Sequence, residues 1–427
     1  MAEAEIVLRT KILLKNKVQP ACIGIDNGKI FAVKKILSGE KNYDFSTFLA
    51  LPGGVDTHTH MRDPGITQKE DFYTGTLSAA FGGTTTILDM PNTKPMVLTT
   101  KHLEEKIEIV KNKANVDYGF FCVLSYLDSM EPLEKILRLA AGLKLYMAET
   151  TGALGTPDES LETLVGAKAL TGKVITVHAE DSSRFLCIKC NDLKMHNINR
   201  NMESEISAVQ KVLAVKTQAT VNLAHLTAVE SLELARASNT RFEITPQHFL
   251  LHDASGIGPF GKVNPPLRHK EIAARLFEEV RGGKVDIIAS DHAPHTFEEK
   301  SVGFDEAPSG MPGVETRLPL MMALAKRNKV SLGTVQTSCC QNPAELFDMK
   351  KGKIDTGYDA DISFFDMSQV EKINGEKLHS KCGWSAFDGF EAIFPAAVML
   401  RGQWVVKDRE LEEDKLGIML GQPVQGI

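Results

Sequence analysis

A chain of 427 residues, 43% hydrophobic and 24% charged, is long enough for a large core and more than one domain. Its formal charge of −6, from 49 Lys+Arg against 55 Asp+Glu, argues against the basic face that a nucleic-acid partner favours. No apolar run approaches the roughly 18 residues that span a bilayer, and the opening MAEAEIVLRTK lacks a signal-peptide layout.

Taken in chain order, residues 1–47 hold IVLRTKILL and ACIGIDNGKIFAVKKIL, with little helical period and a hairpin turn expected at Asp26-Asn27-Gly28. Then come eight short apolar runs: FLALPGGVD, TTTILDM, VDYGFFCVL, GLKLYM, KVITVHA, TVNLAHL, RFEITPQ and VDIIASD. Between them lie stretches of helical spacing such as LTTKHLEEKIEIVKNKA, SEISAVQKVLAVKTQ and KEIAARLFEEVRGG. Strand–helix alternation implies a parallel sheet, and eight strands fit a closed barrel. From about residue 350, GKIDTGYDADISFFD and AAVMLRGQWVVKD return to strand character, with a second turn at Arg401-Gly402-Gln403. The expected fold is α/β: a (β/α)8 TIM-like barrel over 51–349, flanked by a small β-sandwich built from 1–50 and 350–427. Two independent edge hairpins are the plainer alternative for the termini.

The seven cysteines are scattered and odd in number, which suits a reducing cytoplasm better than a disulfide framework. Cys187 and Cys190 have CxxC spacing but neither a partner CxxC nor a thioredoxin-like strand before them, and read as structural.

The stretch DTHTHMRDPG carries the first chemistry. In a strand, residues two apart share a face, so His58 and His60 project together, with Asp56 and Arg62 in the same parity if strand geometry persists. An HxH pair alone is weak. However, His178, His225 and Asp291 also end apolar runs, and barrel enzymes keep their active sites at the C-terminal ends of their strands. Neutral imidazoles and a carboxylate are the ligand set of Zn²⁺. Lys144 stands inside an apolar run: either it snorkels out, or burial holds it as a neutral amine that takes up CO2 as a metal-bridging carbamate.

In order along residues 52–317, DTHTHMRDPG, DMPNT, GLKLY, VHAE, AHLT, KVNPPLR and SDHAPHT resemble the successive motifs of the dihydroorotase family within the amidohydrolase superfamily. The resemblance implies two Zn²⁺: His58, His60 and Asp291 on one, His178 and His225 on the other. Lys144, as N6-carboxylysine, bridges both. It implies Arg62, Asn92 and His295 at a substrate carboxylate, with His60 also facing substrate. Asn264 would contact the pyrimidine ring, although some members have Arg at that position. Ser309 and Gly310 would contribute backbone contacts, unless APSGMPG is only a Gly/Pro turn. The polar loop after Lys144 reads as a surface loop or as a substrate lid with Thr150 and Thr151.

The implied reaction is reversible cyclisation of N-carbamoyl-L-aspartate to L-dihydroorotate and water, in pyrimidine synthesis. Asp291 would serve as base and then acid, and a metal-activated water as nucleophile. Allantoinase or hydantoinase chemistry is the alternative, since the metal ligands are shared. A catalytically dead scaffold is a third reading, disfavoured because all six ligand positions are filled. The expected partner is a small-molecule substrate, with no nucleic acid and no membrane. A homo-oligomer and an association with aspartate transcarbamoylase are left open.

Overall fold

The computed structural model describes residues 4–124, 133–149, 173–215 and 219–420. Four strands open the chain: β1 (Ala4–Leu14), β2 (Lys17–Asp26), β3 (Lys29–Lys34) and β4 (Gly39–Pro52). Eight more follow: β5 (Gly54–Thr59), β6 (Thr84–Asp89), β7 (Asp117–Val123), β8 (Gly142–Tyr146), β9 (Val174–His178), β10 (Thr220–Leu223), β11 (Arg241–Ile244) and β12 (Ile287–Ile288). These eight pair in sequence order, every pair parallel. A bridge from Thr59 to His292, with the His60 amide donating to the His292 carbonyl at 2.7 Å, joins the last strand run to the first. This is the expected barrel, and its strands coincide with the eight apolar runs.

The first run divides in two. Phe48–Pro52 completes β4 in the other sheet, and the barrel strand starts at Gly54. The chain changes sheets at Gly53, where an added Cβ would lie 2.1 Å from Thr85 Oγ1. Apolarity alone could not show this break, because the run is buried on both sides of it.

Outer helices match the periodic stretches. In Lys270–Arg281 the buried residues are Ala273, Leu276 and Val280, one stripe of an amphipathic helix. Met202–Ala214 starts at Asn201, whose side chain accepts from the Ser204 amide at 3.0 Å, with Glu203 and Glu205 in the first turn.

The terminal strands β13 (Ile362–Phe365), β14 (Glu371–Lys372), β15 (Glu391–Ala392), β16 (Pro395–Leu400), β17 (Gln403–Lys407) and β18 (Glu410–Leu411) complete the chain. Except for the β14–β15 pair, they join the first four in one sheet, ordered β18-β17-β16-β13-β4-β1-β2-β3. The sandwich expected from both termini is thus one hydrogen-bonded sheet around its own core of Leu8, Ile23, Phe45, Phe364 and Trp404. Both anticipated turns use left-handed residue pairs, Asn27-Gly28 and Arg401-Gly402. All seven cysteines are free. No helix among the described residues is long and apolar enough to cross a membrane.

Candidate active site

Barrel strands are buried on both faces, so a polar side chain near a strand's C-terminal end either points into the barrel mouth or needs an internal partner. His58 lies within β5 and His60 just beyond it. Asp291 follows β12 after a short extended segment. Asp291 Oδ1 stands 3.1 Å from His60 Nε2 and 3.5 Å from His58 Nε2, and the three form one group able to hold a metal ion.

Their other ring nitrogens are occupied from behind. Glu243, in β11, contacts His58 Nδ1, and Asn92 Oδ1 accepts from His60 Nδ1 at 2.6 Å. Such partners fix the tautomer and turn Nε2 toward the mouth. Burial pushes His60 down to about 4 despite the Asp291 carboxylate, so the ring is neutral near pH 7. Burial works to raise Asp291, but His58 and His60 outweigh it and keep the carboxylate ionised.

A second pair faces the first. His178 Nδ1 and His225 Nε2 converge to 3.0 Å, and the His225 and His58 rings are 5.2 Å apart. Behind His178, Glu180 Oε2 lies 2.7 Å from Nε2, and Arg200 clamps that carboxylate through Nη2 at 2.5 Å and Nε at 3.2 Å.

Lys144 lines the same cavity from β8, fully buried. Its Nζ has no hydrogen-bond partner among the described residues. Burial brings it down to about 8, against the opposing pull of Glu243 and Asp291. Among the described residues, an orphaned buried amine thus lines the same cavity as four histidines and Asp291, a donor set that fits metal ligation.

Arg62, Asn92, Asn264, Ser309 and Gly310 line this cavity together with the ligand candidates. Arg62 does not reach it by strand parity. Its φ is +59°, a left-handed turn that ends the extended geometry, and Nε is tied to the Pro294 carbonyl at 3.2 Å. Asp56, assigned the same parity, faces Arg317 and the Ser290 amide instead. His225 and Asp291 also have positive φ, +37° and +47°. Strained non-glycine backbone at three site residues is what a functional constellation tolerates.

His295 stands one layer back, fully buried. Its Nε2 donates to the Ser309 carbonyl at 3.0 Å, and Lys69 Nζ donates to its Nδ1 at 3.0 Å. Burial, then Arg62 and Lys69, hold the ring well below the usual histidine range. Thr150 and Thr151 lie outside the described residues.

Sequence reasoning missed Tyr146, which lines the cavity two residues after Lys144, and the supports Glu180 and Glu243. The signal for Glu243 was available: a carboxylate in an apolar barrel strand is as anomalous as Lys144. Glu180 shares parity with His178, as Tyr146 does with Lys144.

A parallel barrel with histidines and a carboxylate gathered at the C-terminal ends of its strands defines a metal-dependent hydrolase. The chain belongs to the amidohydrolase family, whose pattern matches residues 49–405. It is 35% identical to a dihydroorotase of Methanosarcina mazei over 93% of each chain. A dihydroorotase of Halobacterium salinarum is 36% identical, covering 93% of this chain and 96% of the relative. Among solved structures, L-hydantoinase (dihydropyrimidinase) from Arthrobacter aurescens superposes with a TM-score of 0.89 at 26% identity, covering 97% of this chain and 99% of that one. Dihydropyrimidinase from Brevibacillus agri NCHU1002 gives 0.87 at 26%, covering 97% and 98%.

Proposed function

We propose that this chain catalyses the dihydroorotase reaction, the reversible cyclisation of N-carbamoyl-L-aspartate to L-dihydroorotate and water in de novo pyrimidine synthesis. The observation that carries this reading is Arg62. It is buried in the cavity that holds His58, His60 and Asp291, and burial brings its guanidinium only to about 10, so it stays charged. A neutral cyclic amide gives a buried guanidinium no counter-charge, whereas a carboxylate supplies one and accepts its planar fork. The identity to dihydroorotases over nearly the whole chain supports the same reading.

His58, His60 and Asp291 would hold one Zn²⁺, and His178 and His225 a second, with carbamylated Lys144 as bridge. Once bound, the metals would supply an acidified water and polarise the ring carbonyl. Asp291 takes the proton of the attacking water and hands it to the departing ring nitrogen; in ring closure it removes the proton from the carbamoyl nitrogen. Arg62 and Asn92 hold the substrate carboxylate, with His295 fixing that wall from behind through the Ser309 carbonyl. Asn264 and the Ser309–Gly310 backbone face the ring. Residues 51–349 carry this chemistry, 1–50 and 350–427 brace it, and the cytoplasm is its proposed setting.

The test is kcat/KM for dihydroorotate and carbamoyl aspartate beside hydantoin and allantoin. Dihydroorotate should be preferred. Arg62→Lys should lower its kcat/KM by roughly 10- to 150-fold, the scale of a lost charge-assisted contact of about 1.5–3 kcal/mol, with zinc content unchanged. Preference for either neutral ring, indifferent to Arg62→Lys, would move the assignment to hydantoinase or allantoinase.

A further inference from the structure

Lys300 is a fully buried lysine with no place in the chemistry above. It closes the one-turn helix Phe297–Lys300, which starts at Thr296 with a reciprocal Thr296–Glu299 capping box. The helix follows directly on the strand-end segment that carries Asp291 and His295, and Lys300 turns inward from it. Its Nζ donates to three backbone carbonyls: Pro308 at 2.8 Å, Gly310 at 3.0 Å and Lys262 at 3.3 Å. An ammonium has three N–H donors, so the fan is complete.

The three acceptors belong to two segments of the cavity wall. Lys262 leads into Asn264; Pro308 and Gly310 flank Ser309. The same edge is laced by the Gly310 amide donating to the Lys262 carbonyl at 2.9 Å and the Ala293 amide to the Met311 carbonyl at 2.8 Å. Gly310 leaves no space for a side chain, since an added Cβ would lie 2.5 Å from the Ala293 carbonyl.

We propose that Lys300 is a positioning residue for substrate binding: its ammonium ties Asn264 and the Ser309–Gly310 turn into one rigid edge against which the substrate ring docks. A buried cation held by three carbonyl dipoles, with the Trp384 ring centroid 5.9 Å from Nζ, is a costly structural device. Burial, with Lys262 nearby, brings it down to about 7. A methionine would fill the same space without that cost, and would leave the three carbonyls with fewer donors. Lys300 touches neither reacting atoms nor metal ligands, so it acts on binding rather than on proton transfer.

The inference rests on the dihydroorotase reading, and its test separates the two. In Lys300→Met, KM for dihydroorotate should rise roughly tenfold or more while kcat stays within about threefold, the pattern of lost uniform binding. Zinc content should match wild type, and faster amide hydrogen exchange should be confined to 262–264 and 307–313. Lys300→Arg keeps the charge but spreads its donors over a plane, and its KM should fall between the two. Unchanged KM in Lys300→Met, or a loss confined to kcat or to zinc, overturns the proposal. So does failure of both variants to fold, which would assign Lys300 to stability alone. If the wild type ignores dihydroorotate but turns over hydantoin or allantoin, the functional reading fails; the same KM split is then required on that ring.

Discussion

An ammonium without an acceptor is costly to bury, and Lys144 has none among the described residues. Its amine is brought to about 8, so near pH 7.5 roughly a quarter of it is neutral, against roughly a thousandth for an ordinary lysine. Only the neutral amine can add CO2. The sign follows: raising the pH increases the reactive fraction. Reassembly of metal-free protein with Zn²⁺ at a fixed concentration of dissolved CO2 should therefore speed up between about pH 7 and pH 9, with more bound zinc at fixed time by elemental analysis. Lys144→Ala should retain much less zinc and lose nearly all activity. Full zinc occupancy in that variant would remove the lysine from the metal site.

At this scale the sequence was legible where a residue type contradicts its surroundings. His58, His60, His178, His225 and Asp291 are polar groups at the ends of apolar runs and Lys144 lies inside one, and the structure gathers all six around one cavity. Arg62 reaches that cavity for a different reason from strand parity, because its left-handed φ redirects the chain. Glu180 and Lys300 were harder to find than Glu243. Glutamate and lysine are ordinary on surfaces, and their roles depend on partners, Arg200 and the Gly310 carbonyl, that become neighbours only through the fold.

At the scale of elements, strand order and the main helices followed from periodicity, and the failure at FLALPGGVD is instructive. Two strands of different sheets meet there with one residue between them. Gly53 permits it because Thr85 in the adjacent barrel strand occupies the space a side chain would need, with Oγ1 at 2.1 Å and Cγ2 at 2.5 Å from an added Cβ. Thr85 is itself fully buried within β6 and has no exit. Gly53→Ala should therefore destabilise the protein by about 1–3 kcal/mol, the usual cost of overpacking. Because β5 carries His58, the same variant should also lower zinc affinity. Urea unfolding checks the first effect, and competition with a zinc-binding dye the second. An unchanged urea midpoint would mean that the junction relaxes freely.

Over the whole molecule, barrel and terminal sheet meet at a knot of buried charge. Lys351 Nζ lies 2.7 Å from Asp117, 2.7 Å from Asp361 and 3.1 Å from Asp359. Asp117 opens β7 at the end of the barrel away from the metal ligands, and Asp361 precedes β13 in the other sheet. Arg401, from the β16–β17 turn, adds a second cation to Asp117, and Lys29 reaches Asp359 at 2.8 Å. Lys351→Met would leave the carboxylates underneutralised, which costs about 3–5 kcal/mol when one partner of a buried charge set is removed. Burial already pushes the Asp361 carboxyl above its ordinary range, against the pull of Lys351, and losing the cation pushes it further. A carboxyl with a raised folded-state pKa holds more protons folded than unfolded, so its stability contribution improves as pH falls. The deficit of Lys351→Met in urea unfolding should thus be largest near pH 7 and shrink toward about pH 5. Because the knot sits at the stability end of the barrel rather than its catalytic end, kcat/KM per folded molecule should match wild type throughout. A deficit independent of pH would show that Asp361 stays ionised without Lys351, and that Arg401 and Lys29 carry the junction alone.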